Sequence, residues 1–329
     1  MKRLQSPLLS LPIGCVLALL AMRSLAADLA APKAPVAEAK PSRNRNDAAP
    51  KDAKAEPAAP KYIRLDYAAS DTSQDKPIAL QTAIASFRAS KPEQAGVTVD
   101  LIGAVHIAEK AYYQNLNELF EKYDVVLFEL VAPPGTRIPK GGKPGDHPVS
   151  ALQNGMKDML GLEHQLACID YTKANLIHAD MSPSEFAKSM KDRGESVWQM
   201  MFRAIGHSMA KQSQAGRKET ASDFEILMAL FDKNRRGSLK RLMAEQFQDI
   251  DDMMAAVEGP EGSTLIAERN KVALAELPRQ IAAGKKRIAI FYGAAHMPDM
   301  ERRLEADEFA MKRTGERWLT AWNLLDDKK

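Results

Sequence analysis

Apolar and polar positions along the chain follow two different periods, and the switches between them mark out the elements. "YIRLDY" (62–67) and "IALQTAIASFR" (78–88) alternate as strands do, although the second also fits a helix. "VTVDLIGAV" (97–105) is a β-rich run with one glycine. After it, "AEKAYYQNLNELFEKY" places Tyr112, Leu116, Leu119, Phe120 and Tyr123 at helical spacing. "DVVLFELVAPPG" then reads as a continuous apolar strand stopped by Pro133, Pro134 and Gly135. Strand, helix, strand in this length make a βαβ unit, and unbroken apolar runs suit parallel strands covered on both faces.

Residues 136–149 read as a loop, and 150–258 as a helical insertion with no good strand candidate. Its Met-rich stretches, "FEILMALF" and "DDMMAAV", read as core filler. In "STLIAERNKVALAELPRQI" the residues Ile266, Ala273, Leu277 and Ile281 form one helical stripe, and Pro278 is expected to interrupt it. "RIAIFYGAAHM" returns to a β-rich run, "PDMERRLEADEFAM" to a helix, and "ERWLTAWNLL" closes as a strand. The expected fold is α/β: repeated βαβ halves forming a mainly parallel sheet, with a central helical insertion, in a domain over residues 61–329.

The first 60 residues belong to neither period. "MKR", the apolar "PLLSLPIGCVLALLAM" and "SLAA" read as a signal peptide over 1–27, cleaved near Ala26 or Ala27. Pro12 and Arg23 make the apolar run short for a membrane span, so no stable transmembrane helix is expected after cleavage. The expected destination is the periplasm or the exterior. A lipid anchor on Cys15 is disfavoured, because the preceding "LPIG" has proline where such sites carry an apolar residue. Residues 28–60 are rich in Ala, Pro, Lys and Asp and read as a disordered tether. With Cys15 removed, Cys168 is the one remaining cysteine, which excludes an internal disulfide and a cysteine-based zinc site. Its apolar context reads as a buried, inert thiol. Charge is nearly balanced, 46 Lys and Arg against 43 Asp and Glu, so a nucleic-acid partner is not expected.

The candidate chemistry comes from an internal echo. Gly103-Ala104-Val105-His106 and Gly293-Ala294-Ala295-His296 each stand at the exit of an expected buried strand. The glycines read as tight backbone turns, and ligands collect at the carboxyl ends of such strands. A lone histidine there is best explained as a cap or a satisfied core residue; the repetition favours a shared site. Glu129 interrupts an apolar strand near its end, where an unpaired carboxylate is costly, so it needs a metal, a cation or a proton. A salt bridge is the competing explanation. Asn270 falls on the buried stripe and needs partners, and neighbouring Arg269 can pair with a substrate carboxylate or with Glu129. Glu109 and Asp299 read as charges at helix N-termini, Asp180 in "HADMSPSE" as a helix cap, and His178 as a minor candidate. His147, His164 and His207 read as loop or helix-surface residues, and Glu268 as a solvated acid.

Together, "LIGAVHIAEKAYYQNLNELFEKYDVVLFEL", "TLIAERNKVAL" and "IFYGAAHM" resemble the TraB/PrgY/GumN family. That family includes the Tiki proteases and belongs to a wider set with erythromycin-esterase-like and ChaN-like proteins. The resemblance implies a repeated α/β fold whose paired Gly-x-x-His motifs and an acid form the site, here His106, Glu129 and His296 with Arg269 and Asn270. It implies an exported metal-dependent hydrolase, most simply a peptidase. His106, Glu129 and His296 would hold a divalent metal (manganese, cobalt or zinc), and Arg269 and Asn270 would orient a peptide or small-molecule substrate. A haem- or ligand-binding protein of ChaN-like type and a non-catalytic scaffold are the other readings. H-E-x-x-H, Walker, G-x-S-x-G and Rossmann glycine patterns are absent from the sequence, which disfavours a zincin, a serine hydrolase or a nucleotide-dependent enzyme.

Overall fold

Strand β1 (Ile63–Tyr67) is followed by β2 (Pro77–Ala89), and the segment that fitted either period is therefore a strand. The computed structural model describes residues 61–68, 77–142, 159–196, 234–247 and 262–325, with isolated positions elsewhere between 199 and 258. The signal peptide, the tether, Cys15, His147, His207 and most of the Met-rich stretch lie outside the described residues.

Long-range pairing, which periodicity does not report, decides β2 in favour of a strand. Along Ala79–Ala89 one edge pairs with β9 (Met311–Asn323). The other edge is shared between β1, over Pro77–Thr82, and β3 (Thr98–Ala104), over Ile84–Arg88. Beyond β3 the sheet continues through β8 (Arg287–Gly293), β5 (Val125–Phe128) and β7 (Leu176–His178), all mutually parallel. Because β1, β3 and β9 all run antiparallel to β2, six of the seven strands share one direction and β2 alone opposes them. The mainly parallel α/β sheet expected from the apolar runs is therefore present.

Both faces are covered. Helix Lys110–Phe120 buries Tyr112, Tyr113, Leu116, Leu119 and Phe120, and the Phe120 ring meets Phe291 of β8 edge-on at 4.9 Å. The next residue, Tyr292, points to the other face by strand alternation and meets His296 at 5.2 Å. Helix Arg269–Ala282 packs on β5, and helix Met297–Glu305 on β3 and β9.

Three expectations need correction. The segment 150–258 does contain a sheet strand: Leu176–His178 pairs with Val126–Phe128 at the sheet edge. Three residues are too short for a period to show, and Asn175 secures the entry by donating to the Phe120 and Tyr123 carbonyls. The "DVVLFELVAPPG" strand ends at Phe128, leaving Glu129 as the first residue past it. Pro278 does not break its helix, which runs on to Ala282; the proline lies on the exposed side, where its ring displaces nothing packed. Among the described residues no helix is long and apolar enough to cross a membrane.

Candidate functional site

The echoed motifs meet because their strands are neighbours. β3 and β8 lie side by side in parallel, with Gly103 opposite Tyr292 and Ala104 opposite Gly293, and Phe128 of β5 lies opposite Phe291. Three strand exits, and with them His106, His296 and Glu129, open on one edge of the sheet.

From there the two motifs diverge. After Gly293 a single 3-10 turn, Ala294–His296, folds His296 inward to 4% exposure. After Ala104 the chain bends at His106 and re-enters a strand, β4 (Ile107–Ala108), paired with β6 (Glu163–His164), and His106 remains exposed. Neither glycine has a positive φ, so both serve close approach. A Cβ on Gly103 would lie 3.3 Å from the Ala83 carbonyl and 3.4 Å from the Ala294 Cβ. On Gly293 it would lie 3.3 Å from Glu129 Oε2. Gly103 is a strand residue and makes no turn, contrary to the sequence expectation.

Glu129 is held at both oxygens. Oε2 accepts the Gly293 amide at 2.6 Å, and Oε1 accepts Arg269 Nη2 at 2.6 Å. Burial alone would raise its pKa, but the Arg269 cation beside it, aided by the Gly293 amide, holds the carboxyl well below the usual range. Arg269, 4% exposed, is also taken by Asp180, from Nε at 3.0 Å and Nη2 at 2.6 Å. Burial works against its charge, yet the two carboxylates hold it firmly cationic. The Arg269–Glu129 salt bridge weighed from sequence is thus present.

His296 is the second centre. Its Nδ1 lies 2.7 Å from Asn270 Oδ1, while Asn270 Nδ2 donates to the His296 carbonyl at 3.0 Å and to Asp299 Oδ2 at 2.9 Å. With both amide hydrogens of Asn270 engaged, its oxygen is the acceptor, which assigns the proton of His296 to Nδ1. Nε2 then carries a lone pair, 3.5 Å from Glu129 Oε1 and 3.4 Å from Arg269 Nη1. Burial, opposed by the Glu129 charge and reinforced by Arg269, pushes the imidazole pKa down to about 4, so the ring is neutral at neutral pH. Asp299, read from sequence as a dipole charge, sits in the first turn of its helix and also anchors Asn270.

These two residues reach the site through an unusual turn. Thr264–Glu268 is a π-helical turn, closed by Glu268 N–H on the Ser263 carbonyl at 3.0 Å and started by Ser263 Oγ accepting the Ile266 amide. Such widened turns recur at functional sites. This one leads directly into Arg269 and Asn270.

Other residues stand apart from their expected roles. Asp180 is no helix cap: Ser182 caps Pro183–Asp192 in a full capping box with Glu185. The surplus acid ahead of a sufficient cap was the available signal for Asp180. His178 spends Nε2 on the Leu130 carbonyl at 2.5 Å and tilts against Phe128, which makes it a brace for the segment after β5. His164 is buried in β6, not on a surface, because Ile107 pairs with it. Glu109 holds the N-cap position of Lys110–Phe120 without capping it and pairs with Lys240 at 2.6 Å. Cys168 is partly buried against the core. Glu268 is paired with Arg193 and Lys271.

Among the described residues no three His, Cys, Asp or Glu side chains form a ready-made metal cage. The donor chemistry nevertheless suits a divalent ion. His296 offers a neutral Nε2 with its tautomer fixed from behind, and Glu129 is anionic. The exposed His106 ring has no hydrogen-bond partner among the described residues and stands past the exit of the strand beside β8.

No family model matches the chain, and no curated protein or solved structure matches it at the significance required.

Proposed function

We propose that the chain is an exported, metal-dependent hydrolase of TraB/PrgY/GumN type that acts on peptides. The observation that carries this reading is His296, a buried neutral imidazole with Nδ1–H tied to Asn270 and Nε2 facing the anchored Glu129. A ring locked in this way is a ready ligand or base at neutral pH, and no proton has to be removed first. That both Gly-x-x-His motifs and Glu129 follow neighbouring parallel strands, with Arg269 on Glu129 and Asn270 on His296, supports the resemblance.

His106, Glu129 and His296 would hold a divalent cation (manganese, cobalt or zinc), which when bound supplies a Lewis acid and a water of lowered pKa. The chain's own residues supply the remaining functions. Asn270 holds the His296 proton at Nδ1, so Nε2 is the nitrogen that faces Glu129 without a proton. Arg269 and the Gly293 amide orient Glu129, one on each oxygen. His106 is the one exposed member of the set, at the side where substrate arrives.

The test is metal analysis of the purified chain together with a mixed peptide library. The native protein is expected to retain a divalent metal and to cleave peptides. The double variant His106→Ala/His296→Ala is expected to lose both. Full metal occupancy in that double variant would overturn the reading.

A further inference from the structure

Asp180 belongs to none of the three motifs that carry the resemblance, yet its carboxylate takes two N–H groups of Arg269. Its side chain is completely buried, at 0% exposure. Oδ1 accepts Arg269 Nε at 3.0 Å and the Met181 amide at 2.7 Å, and Oδ2 accepts Arg269 Nη2 at 2.6 Å. Three donors from two residues fix this carboxylate, and the carboxylate in turn fixes the plane of the guanidinium.

Glu129 consequently receives a single N–H from Arg269, on Oε1, while Nη1 is turned toward His296 and the Leu265 carbonyl, each at 3.4 Å. The arrangement an arginine adopts most readily with one carboxylate is a fork of two parallel N–H···O bonds. Asp180 has taken that fork. Were it absent, Arg269 could turn both nitrogens onto Glu129 and draw Oε2 off the Gly293 amide, 2.6 Å away. With His296 neutral, the two carboxylates and the one guanidinium they share leave the cluster with one net negative charge.

We propose that Asp180 is a positioning residue that occupies Arg269, so that Glu129 is aimed by one N–H on Oε1 and keeps Oε2 on the Gly293 amide. Its consequence for catalysis rests on the hydrolase reading above; its geometry does not.

The test is a double-mutant cycle in the full chain with Asp180→Asn, Arg269→Gln and the pair combined, plus Asp180→Glu. Three properties are read: the side-chain NMR signals of Arg269, cobalt affinity from the visible spectrum, and kcat and KM on a peptide cleaved from the mixed library. In Asp180→Asn the Arg269 Nε–H signal is expected to shift and its Nη protons to exchange faster. Cobalt affinity and kcat are each expected to fall by about tenfold or more, with KM little changed, as for residues that orient metal-site ligands. The combined variant is expected to be no worse than Arg269→Gln alone, and Asp180→Glu to recover part of the loss. Additive losses, or Asp180→Asn with native cobalt affinity, would overturn the proposal. Should Asp180→Asn fail to fold, the combined variant, with neither charge left buried, and Asp180→Glu still decide it. If the native chain binds no cobalt and cleaves no peptide, the hydrolase reading fails. Positioning is then decided by NMR alone, and an Arg269 signal unmoved by Asp180→Asn would sink it.

Discussion

His106 and His296 show how far one short motif can diverge once folded. The same four-residue pattern leaves one imidazole exposed and buries the other to 4%. What separates them is the chain after Gly-Ala: a bend that returns to a strand after the first, a 3-10 turn that leads into a helix after the second. The buried ring makes a definite pH prediction. Its folded pKa is about 4 against 6.5 for the free side chain, so on acidification the unfolded state takes up the proton first. This contribution to stability is fully present above about 6.5 and is lost as pH falls toward about 4, amounting at most to roughly 3 kcal/mol. Urea unfolding of the metal-free chain at several pH values should show the loss, with a smaller slope in His296→Gln. A His296 that titrates near 6.5 by NMR would contradict the neutral-imidazole assignment. Glu129 and Asn270 were legible beforehand, because a polar residue inside an apolar pattern must find a partner. Asp180 was not, since an acid ahead of a helix has a simpler local explanation.

At the scale of elements, the stripe Ile266, Ala273, Leu277 and Ile281, with Asn270 on it, was visible as a helical period; Ile281 is half-buried and the others are buried. The π-helical turn that precedes Arg269 was not visible, because an i to i−5 bond leaves no compositional mark. It matters because Arg269 and Asn270 are adjacent yet serve different partners, the first Glu129 and Asp180, the second His296 and Asp299. Pro278 was misjudged for a related reason. Proline lowers helix propensity, but tertiary packing of Ala273, Leu274 and Leu277 carries the helix through it. Pro278→Ala should therefore restore a backbone donor on an exposed face and raise stability by about 1–3 kcal/mol in urea titrations. A destabilised Pro278→Ala protein would mean that the proline's stiffening of the unfolded chain outweighs that bond.

At the scale of the molecule, the sheet depends on β9 as much as on its parallel centre. β9 pairs with β2 along Ala79–Ala89 and buries Trp322, whose indole donates to the Ile107 carbonyl at 2.7 Å. Removing residues 311–329 should therefore abolish cooperative thermal unfolding, since β2 loses a whole edge and the turn after His106 loses its support. Removing residues 1–60, whose composition cannot sustain a core, should change the melting temperature by no more than about 2 °C. A large destabilisation on that second truncation would contradict the tether reading of 28–60.

The sequence by itself determined the class of fold, the strands of the parallel centre except β7, and the polar residues that local burial could not explain. Those are consequences of period and of the cost of burying charge, and both act within a few residues of chain. Only the tertiary structure decided that β2 is a strand, that Leu176–His178 closes the sheet, that His106 stays exposed while His296 is buried and neutral, and that Asp180 holds Arg269. The partners that decide them lie far along the chain, Leu176 50 residues from Val126, Arg269 89 from Asp180 and Asn323 244 from Ala79, for which a single chain read in order carries no local signal.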